Sequence, residues 1–196
     1  MRSYTEYWAA TMIRGLLAIL AGTGILFFPA MAETLLLLPF AILLSILCLA
    51  TYGTIDSAIV LTTSFMVSHR QPGRLALRVQ GICGAVIGVL LFALVYDRFD
   101  VHWFLYLASV QAATTAVTEF VVARETAAHH AALWCYVSAV VAGVSAVALL
   151  FGRNLSPREL AWLLYGYLGL FGFNLFALSA RMLFATREQF PKVRAS

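Results

Sequence analysis

The chain has 196 residues, 62% of them hydrophobic and only 11% charged, with a net charge of +4. At a mean hydropathy of +0.89, a chain this short cannot hide its apolar surface in one interior, which excludes an ordinary water-soluble enzyme. A disordered chain and a disulfide-stapled secreted domain are excluded too, and the bilayer is the solvent this composition expects.

A helix crossing about 30 Å of hydrocarbon needs about 20 residues. Six apolar runs meet that length, at about 8–28, 34–67, 75–96, 103–123, 131–151 and 159–185. The first opens at Trp8 and is expected to close at Phe28-Pro29. Its start, with Arg2 ahead of an apolar stretch and Ala30-Met31-Ala32 behind it, has the outline of a signal peptide; the expectation is that it is retained as a span. The second run is too long for one upright crossing, so Pro39 is expected to bend it, or its first turns to lie at the interface. The intervening segments are short, and the expectation is a single all-α transmembrane domain of six helices.

Twelve of the thirteen basic residues are Arg, and Lys192 is the only Lys. They lie at the ends of the apolar runs and form no aromatic-interleaved stripe, so they read as orientation signals and no nucleic-acid partner is expected. Six spans put Arg2, Arg14, Arg70, Arg74, Arg78, Arg124, Arg181, Arg187, Lys192 and Arg194 on one side, against Arg98, Arg153 and Arg158 on the other. The positive-inside rule then places both termini in the cytoplasm. Tyr96 with Trp103, Trp134 with Tyr136, and Trp162 with Tyr165 fall near the expected interfaces, where amphipathic rings settle. Cys48, Cys83 and Cys135 sit inside apolar runs, so neither a disulfide nor a metal site is expected.

The odd-numbered helices resemble one another. Gly15 and Gly22, Gly81 and Gly88, and Ser138 and Ser145 are each seven residues apart, which puts small residues on one helix face. This reads as three tandem helical hairpins in the same orientation, parallel repeats about an axis along the membrane normal. Arg14-Gly15 at the opening, Gly22 in mid-helix, Phe28-Pro29 at the close and the tandem hairpins together resemble the HdeD-like membrane proteins, over about residues 12–185. Ser138 and Ser145 depart from the glycines of that pattern. The resemblance implies six spans in the bacterial inner membrane and a link to acid stress. It implies no catalytic residues and no cofactor.

Ionisable groups in apolar helices cost about 3 kcal/mol or more to insert, so each needs a partner. Arg14 and Glu119 lie at matching depth, roughly 8 Å inside the surface at about 1.5 Å rise per residue, and an ion pair between them is expected. Asp56 shares a face with Tyr52, Val60 and Thr63 and is the leading candidate for a functional group. Gln111, Thr115, Thr118 and Glu119 form one polar stripe, and Tyr167, Asn174 and Arg181 form another. Both are expected to face the bundle interior or a subunit interface, because lipid satisfies no polar group. Gly166, Gly169 and Gly172 are expected to give close helix contact, and His129-His130 reads as a solvated loop pair. No HExxH, CxxC, P-loop, GxSxG or dinucleotide fingerprint is present. The sequence therefore reads as a non-catalytic membrane protein of HdeD-like type. A small transporter or proton pathway using Asp56 is the alternative. A homo-oligomer or an accessory subunit of a larger membrane complex stays open.

Overall fold

The computed structural model describes residues 8–35, 38–66, 73–97, 101–125 and 131–193. Within them are six α-helices: α1 Trp8–Leu35, α2 Leu38–Met66, α3 Gly73–Asp97, α4 Val101–Glu125, α5 Ala131–Phe151 and α6 Pro157–Val193. A single turn of 3-10 helix, Gly152–Asn154, follows α5, and no strand occurs among the described residues. All six helices carry a stretch long and apolar enough to cross a membrane: Trp8–Phe27, Leu43–Met66, Gly73–Val95, His102–Arg124, Ala132–Phe151 and Arg158–Phe184. The chain is thus an all-helical, multi-pass membrane protein. His129-His130 lies outside the described residues.

Two prolines act differently from the sequence expectation. Helix α1 does not close at Phe28-Pro29; it runs through Pro29 to Leu35. Pro39 does not bend a long second helix but falls in the first turn of α2. There its missing N–H removes nothing, because the first N–H groups of a helix have no partner within it. The long apolar stretch from Thr34 is therefore shared between two helices, which resolves its excess length. The start of α6 is fixed locally: the Ser156 N–H and hydroxyl both donate to Glu159 Oε2, at 2.7 and 2.8 Å, and the Glu159 N–H donates back to Ser156 Oγ at 3.3 Å. This is a capping box, with Pro157 in the first turn where a proline is tolerated.

Each helix packs on its neighbours in sequence, and α6 closes the set against α1; the broadest contacts are α1 with α6, α2 with α3 and α4 with α5. Small residues make those three approaches possible. A Cβ on Gly172 would come within 2.6 Å of the Gly15 carbonyl oxygen, so α1 and α6 touch backbone to backbone. Gly81 faces Leu61, Gly84 faces Ser57 and Gly88 faces Thr54 across the α2–α3 contact. Between α4 and α5, the Ser109 hydroxyl donates to the Ala146 carbonyl at 2.8 Å. A Cβ on Gly166 or Gly169 would meet nothing within 4 Å, so of the three glycines expected to give close contact in α6, Gly172 is the one whose own Cβ would collide.

Burial follows one rhythm in the odd helices. Arg14, Gly15, Ala18, Ala21, Gly22 and Ile25 are buried in α1. Gln80, Gly81, Gly84, Ile87, Gly88 and Leu91 are buried in α3, and Ser138, Ala139, Ala142, Ser145, Ala146 and Leu149 in α5. In this register Ser138 matches Arg14, and the small residues matching Gly15 and Gly22 are Ala139 and Ala146, one place on from the sequence expectation. The apolar core joins residues such as Ile25, Leu49, Leu91, Leu149, Leu168 and Phe171. Outward positions are also apolar, among them Leu20, Val89, Val117, Leu133 and Phe173, each more than three-fifths exposed. An inside and an outside that are both apolar are what lipid contact requires.

Candidate functional site

Three charged side chains from three helices meet inside the bundle. Arg14 of α1, Asp56 of α2 and Glu119 of α4 are 7%, 6% and 5% exposed. The Arg14 guanidinium donates through Nε to Asp56 Oδ1 at 2.7 Å and through Nη2 to Oδ2 at 3.4 Å, a two-point grip on one carboxylate. Its Nη1 stands 3.7 Å from Glu119 Oε1. The expected Arg14–Glu119 ion pair is present, but the nearer partner is Asp56. Arginine suits this place because its planar fork serves two carboxylates at once and its charge is not lost.

The cluster is flanked by two cavities. The larger, of about 60 Å³, is lined from all six helices, by Arg14, Val60, Leu77, Glu119, Cys135 and Leu178 among others. Ala10, Thr11 and Met182 also line it, which places it toward the end of the bundle where α1 starts and α6 runs out. The smaller, of about 10 Å³, is lined by Tyr52, Asp56, Gln111, Thr115 and Tyr167 with apolar neighbours. Glu119 thus borders the first cavity and Asp56 the second, while Arg14 links the two carboxylates. The Tyr167 hydroxyl shares a hydrogen bond with Thr115 at the small cavity. Gln111 Oε1 is buried there and has no hydrogen-bond partner among the described residues.

Two further polar pairs bridge consecutive helices. Gln80 of α3 donates from Nε2 to Thr115 Oγ1 of α4 at 3.3 Å. Asn174 of α6 donates from Nδ2 to the Trp134 carbonyl at 2.7 Å and to the Ser138 hydroxyl of α5. The three pairs are therefore Arg14–Asp56, Gln80–Thr115 and Ser138–Asn174, one at each contact between an odd helix and the next even one. Their first members occupy the same place in the burial rhythm described above.

The structure brings Arg14, Asp56 and Glu119 into one cluster, with Gln111 across the small cavity from Asp56. Asn174 belongs to the separate α5–α6 pair. On the α4 stripe, Thr115, Thr118 and Glu119 are buried, and the Thr118 hydroxyl reaches the Ala76 carbonyl of α3 at 3.3 Å. The α6 stripe divides: Tyr167 and Asn174 face inward, but Arg181 is exposed. Arg181 lies three residues from the end of the apolar span at Phe184, close enough for its long side chain to reach the interface. Gln80 was not singled out in the sequence, and Ser138 was read there only as a small residue, not as a bridging one. Their signal was the position just before Gly81 and Ala139, matching Arg14 before Gly15. Among the described residues no group of three His, Cys, Asp or Glu side chains is placed to hold a metal ion. No family model, no curated protein and no solved structure matches the chain.

Proposed function

We propose that this chain is a non-catalytic, HdeD-like protein of the bacterial inner membrane that contributes to survival of acid stress. In this reading both termini are cytoplasmic, and the bundle is three tandem hairpins, α1–α2, α3–α4 and α5–α6. The hairpin reading is supported by the shared burial rhythm of the odd helices and by one polar pair within each hairpin. The observation that carries the functional reading is the Arg14 cluster. One guanidinium held by carboxylates from two other helices ties α1, α2 and α4 together, and carboxylates as a class are groups that acid can protonate. The test is acid challenge of bacteria producing the wild-type chain, the Arg14→Gln variant or empty vector. Wild type is expected to raise survival and Arg14→Gln to lose the gain; equal survival in all three removes the acid-stress role.

A second reading, a proton or ion pathway, is favoured by the two cavities that meet the cluster from opposite sides. Proteoliposomes carrying the protein would then dissipate an imposed pH gradient, and Asp56→Asn would slow them. A wild-type rate equal to that of empty liposomes eliminates this reading.

A further inference from the structure

We propose that Glu119 is the exchangeable proton site of the cluster, loaded from the larger cavity, while Asp56 is held by the two-point contact with Arg14. The inference rests on the reading of the Arg14 cluster as the functional centre. It shifts the proton-handling group from Asp56, the leading candidate in the sequence, to Glu119.

The geometry is unequal. Asp56 takes the two-point contact, at 2.7 and 3.4 Å, and Glu119 faces only Nη1, at 3.7 Å. Two carboxyl groups share one cation, so with both ionised the cluster carries a net negative charge. A buried charge without its own counter-ion is strongly disfavoured, and two carboxylates at one site do not both stay ionised. The proton belongs on the carboxyl with the weaker hold on the guanidinium, and that is Glu119.

Among the described residues, Arg14 is the cation that faces Glu119. Glu119 is faced by Arg14 from α1, by Asp56 and Tyr52 from α2, by Cys135 from α5 and by Tyr167 from α6. From α3 the cavity wall receives Leu77. Among these groups only Arg14 is a cation and only Asp56 is an acid of comparable strength. A water partner for the proton has room as well. A cavity needs about 10–15 Å³ per water, so the cavity of about 60 Å³ bordered by Glu119 has room for several waters. Asp56 borders the small cavity, whose volume of about 10 Å³ is that of a single water at most. Proton uptake is the plain equilibrium of Glu119 carboxylate with water in the larger cavity, and no covalent step is involved.

The experiment is carbodiimide labelling of the full-length protein in lipid vesicles. Dicyclohexylcarbodiimide enters apolar phases and reacts with protonated carboxyls, and mass spectrometry identifies the modified residue. Glu119 is expected to be modified and Asp56 not, with modification declining as the pH is raised. In Asp56→Asn, Arg14 is left to Glu119 alone, the Glu119 proton is lost, and labelling there drops by about tenfold or more. A purely structural role for the cluster would not move this readout. Labelling of Asp56 in place of Glu119, no labelling of Glu119 at any pH, or unchanged labelling of Glu119 in a folded Asp56→Asn overturns the inference. If Asp56→Asn is not recovered folded, Glu119→Gln decides. It melts like wild type at neutral pH if Glu119 is already protonated, and it loses as much as Arg14→Gln if Glu119 is ionised. Labelling in vesicles is independent of survival in cells, so this inference and the acid-stress reading fail separately.

Discussion

The Arg14 guanidinium closes on the Asp56 carboxylate at 2.7 Å between α1 and α2, with both side chains about nine-tenths hidden. Removing Arg14 leaves the carboxylates without their cation, and removing Asp56 leaves the cation with Glu119 alone at 3.7 Å; breaking a buried pair costs about 3–5 kcal/mol. Arg14→Gln and Asp56→Leu are each expected to lower stability by about that amount, measured by denaturant unfolding in mild detergent. The double variant Arg14→Met with Asp56→Leu removes both charges and is expected to recover part of the loss, so the two effects are not additive. Additive losses would mean that the pair does not act as a unit.

The α1–α6 contact makes a second prediction. A Cβ on Gly15 would lie 2.8 Å from the Gly172 carbonyl oxygen and 3.1 Å from the Phe176 nitrogen. These are backbone atoms and cannot swing aside, so relief requires the two helices to move apart. Gly15→Ala and Gly172→Ala are each expected to cost about 1–3 kcal/mol as overpacking. Gly166→Ala is the matched control: its Cβ would meet nothing within 4 Å, and alanine is the better helix former by about 1 kcal/mol. Thermal unfolding of the three variants in detergent checks the order, with Gly166→Ala at or above wild type.

How far these contacts were legible in the sequence depends on the residue. The six spans were readable because each one must be apolar for about 20 residues. Pairing Arg14 with Glu119 was readable from depth, with Arg14 counted from the far end of its apolar run at Phe28 and Glu119 from Arg124. Asp56 was not, because its depth depended on where the second span ends within the run from Thr34 to Val67, an end the structure sets at Met66. Pro29 misled because a proline ends helices more often than it sits inside them. The third odd helix was read one residue out, since Ser138 and Ser145 mimic the spacing of Gly15 and Gly22. The burial rhythm instead aligns Ser138 with Arg14 and Gln80. Small residues alone did not fix that register; the polar residue preceding each of them does.

The capping box on α6 makes a local prediction. Ser156 and Glu159 exchange three hydrogen bonds at the exposed start of the helix. Ser156→Ala removes the hydroxyl that both donates to Glu159 and accepts from its N–H. Faster amide exchange is expected through the first turn of α6, with the exchange at Leu168 and Phe171 in the core unchanged. Loss of protection along the whole helix would show instead that this cap sets global stability.

The last prediction separates the three bridging pairs by their chemistry. Asn174 donates to both the Trp134 carbonyl and the Ser138 hydroxyl, and these are neutral hydrogen bonds. Such contacts between membrane helices contribute about 0.6 kcal/mol on average and at most about 1.7 kcal/mol. Asn174→Leu is therefore expected to cost well under half of what Asp56→Leu costs, although both residues are buried and both join an odd helix to the next even one. Gln80→Leu, which loses a single bond of 3.3 Å to Thr115, is expected to cost less still. It even has a compensating gain, because Gln80 Oε1 is buried without a partner among the described residues and its removal relieves that desolvation. The predicted order of destabilisation is Asp56→Leu, then Asn174→Leu, then Gln80→Leu, read as unfolding free energies in one detergent. If the three variants lose equal stability, then helix packing around the bridging positions, and not the chemistry of each pair, holds the bundle together.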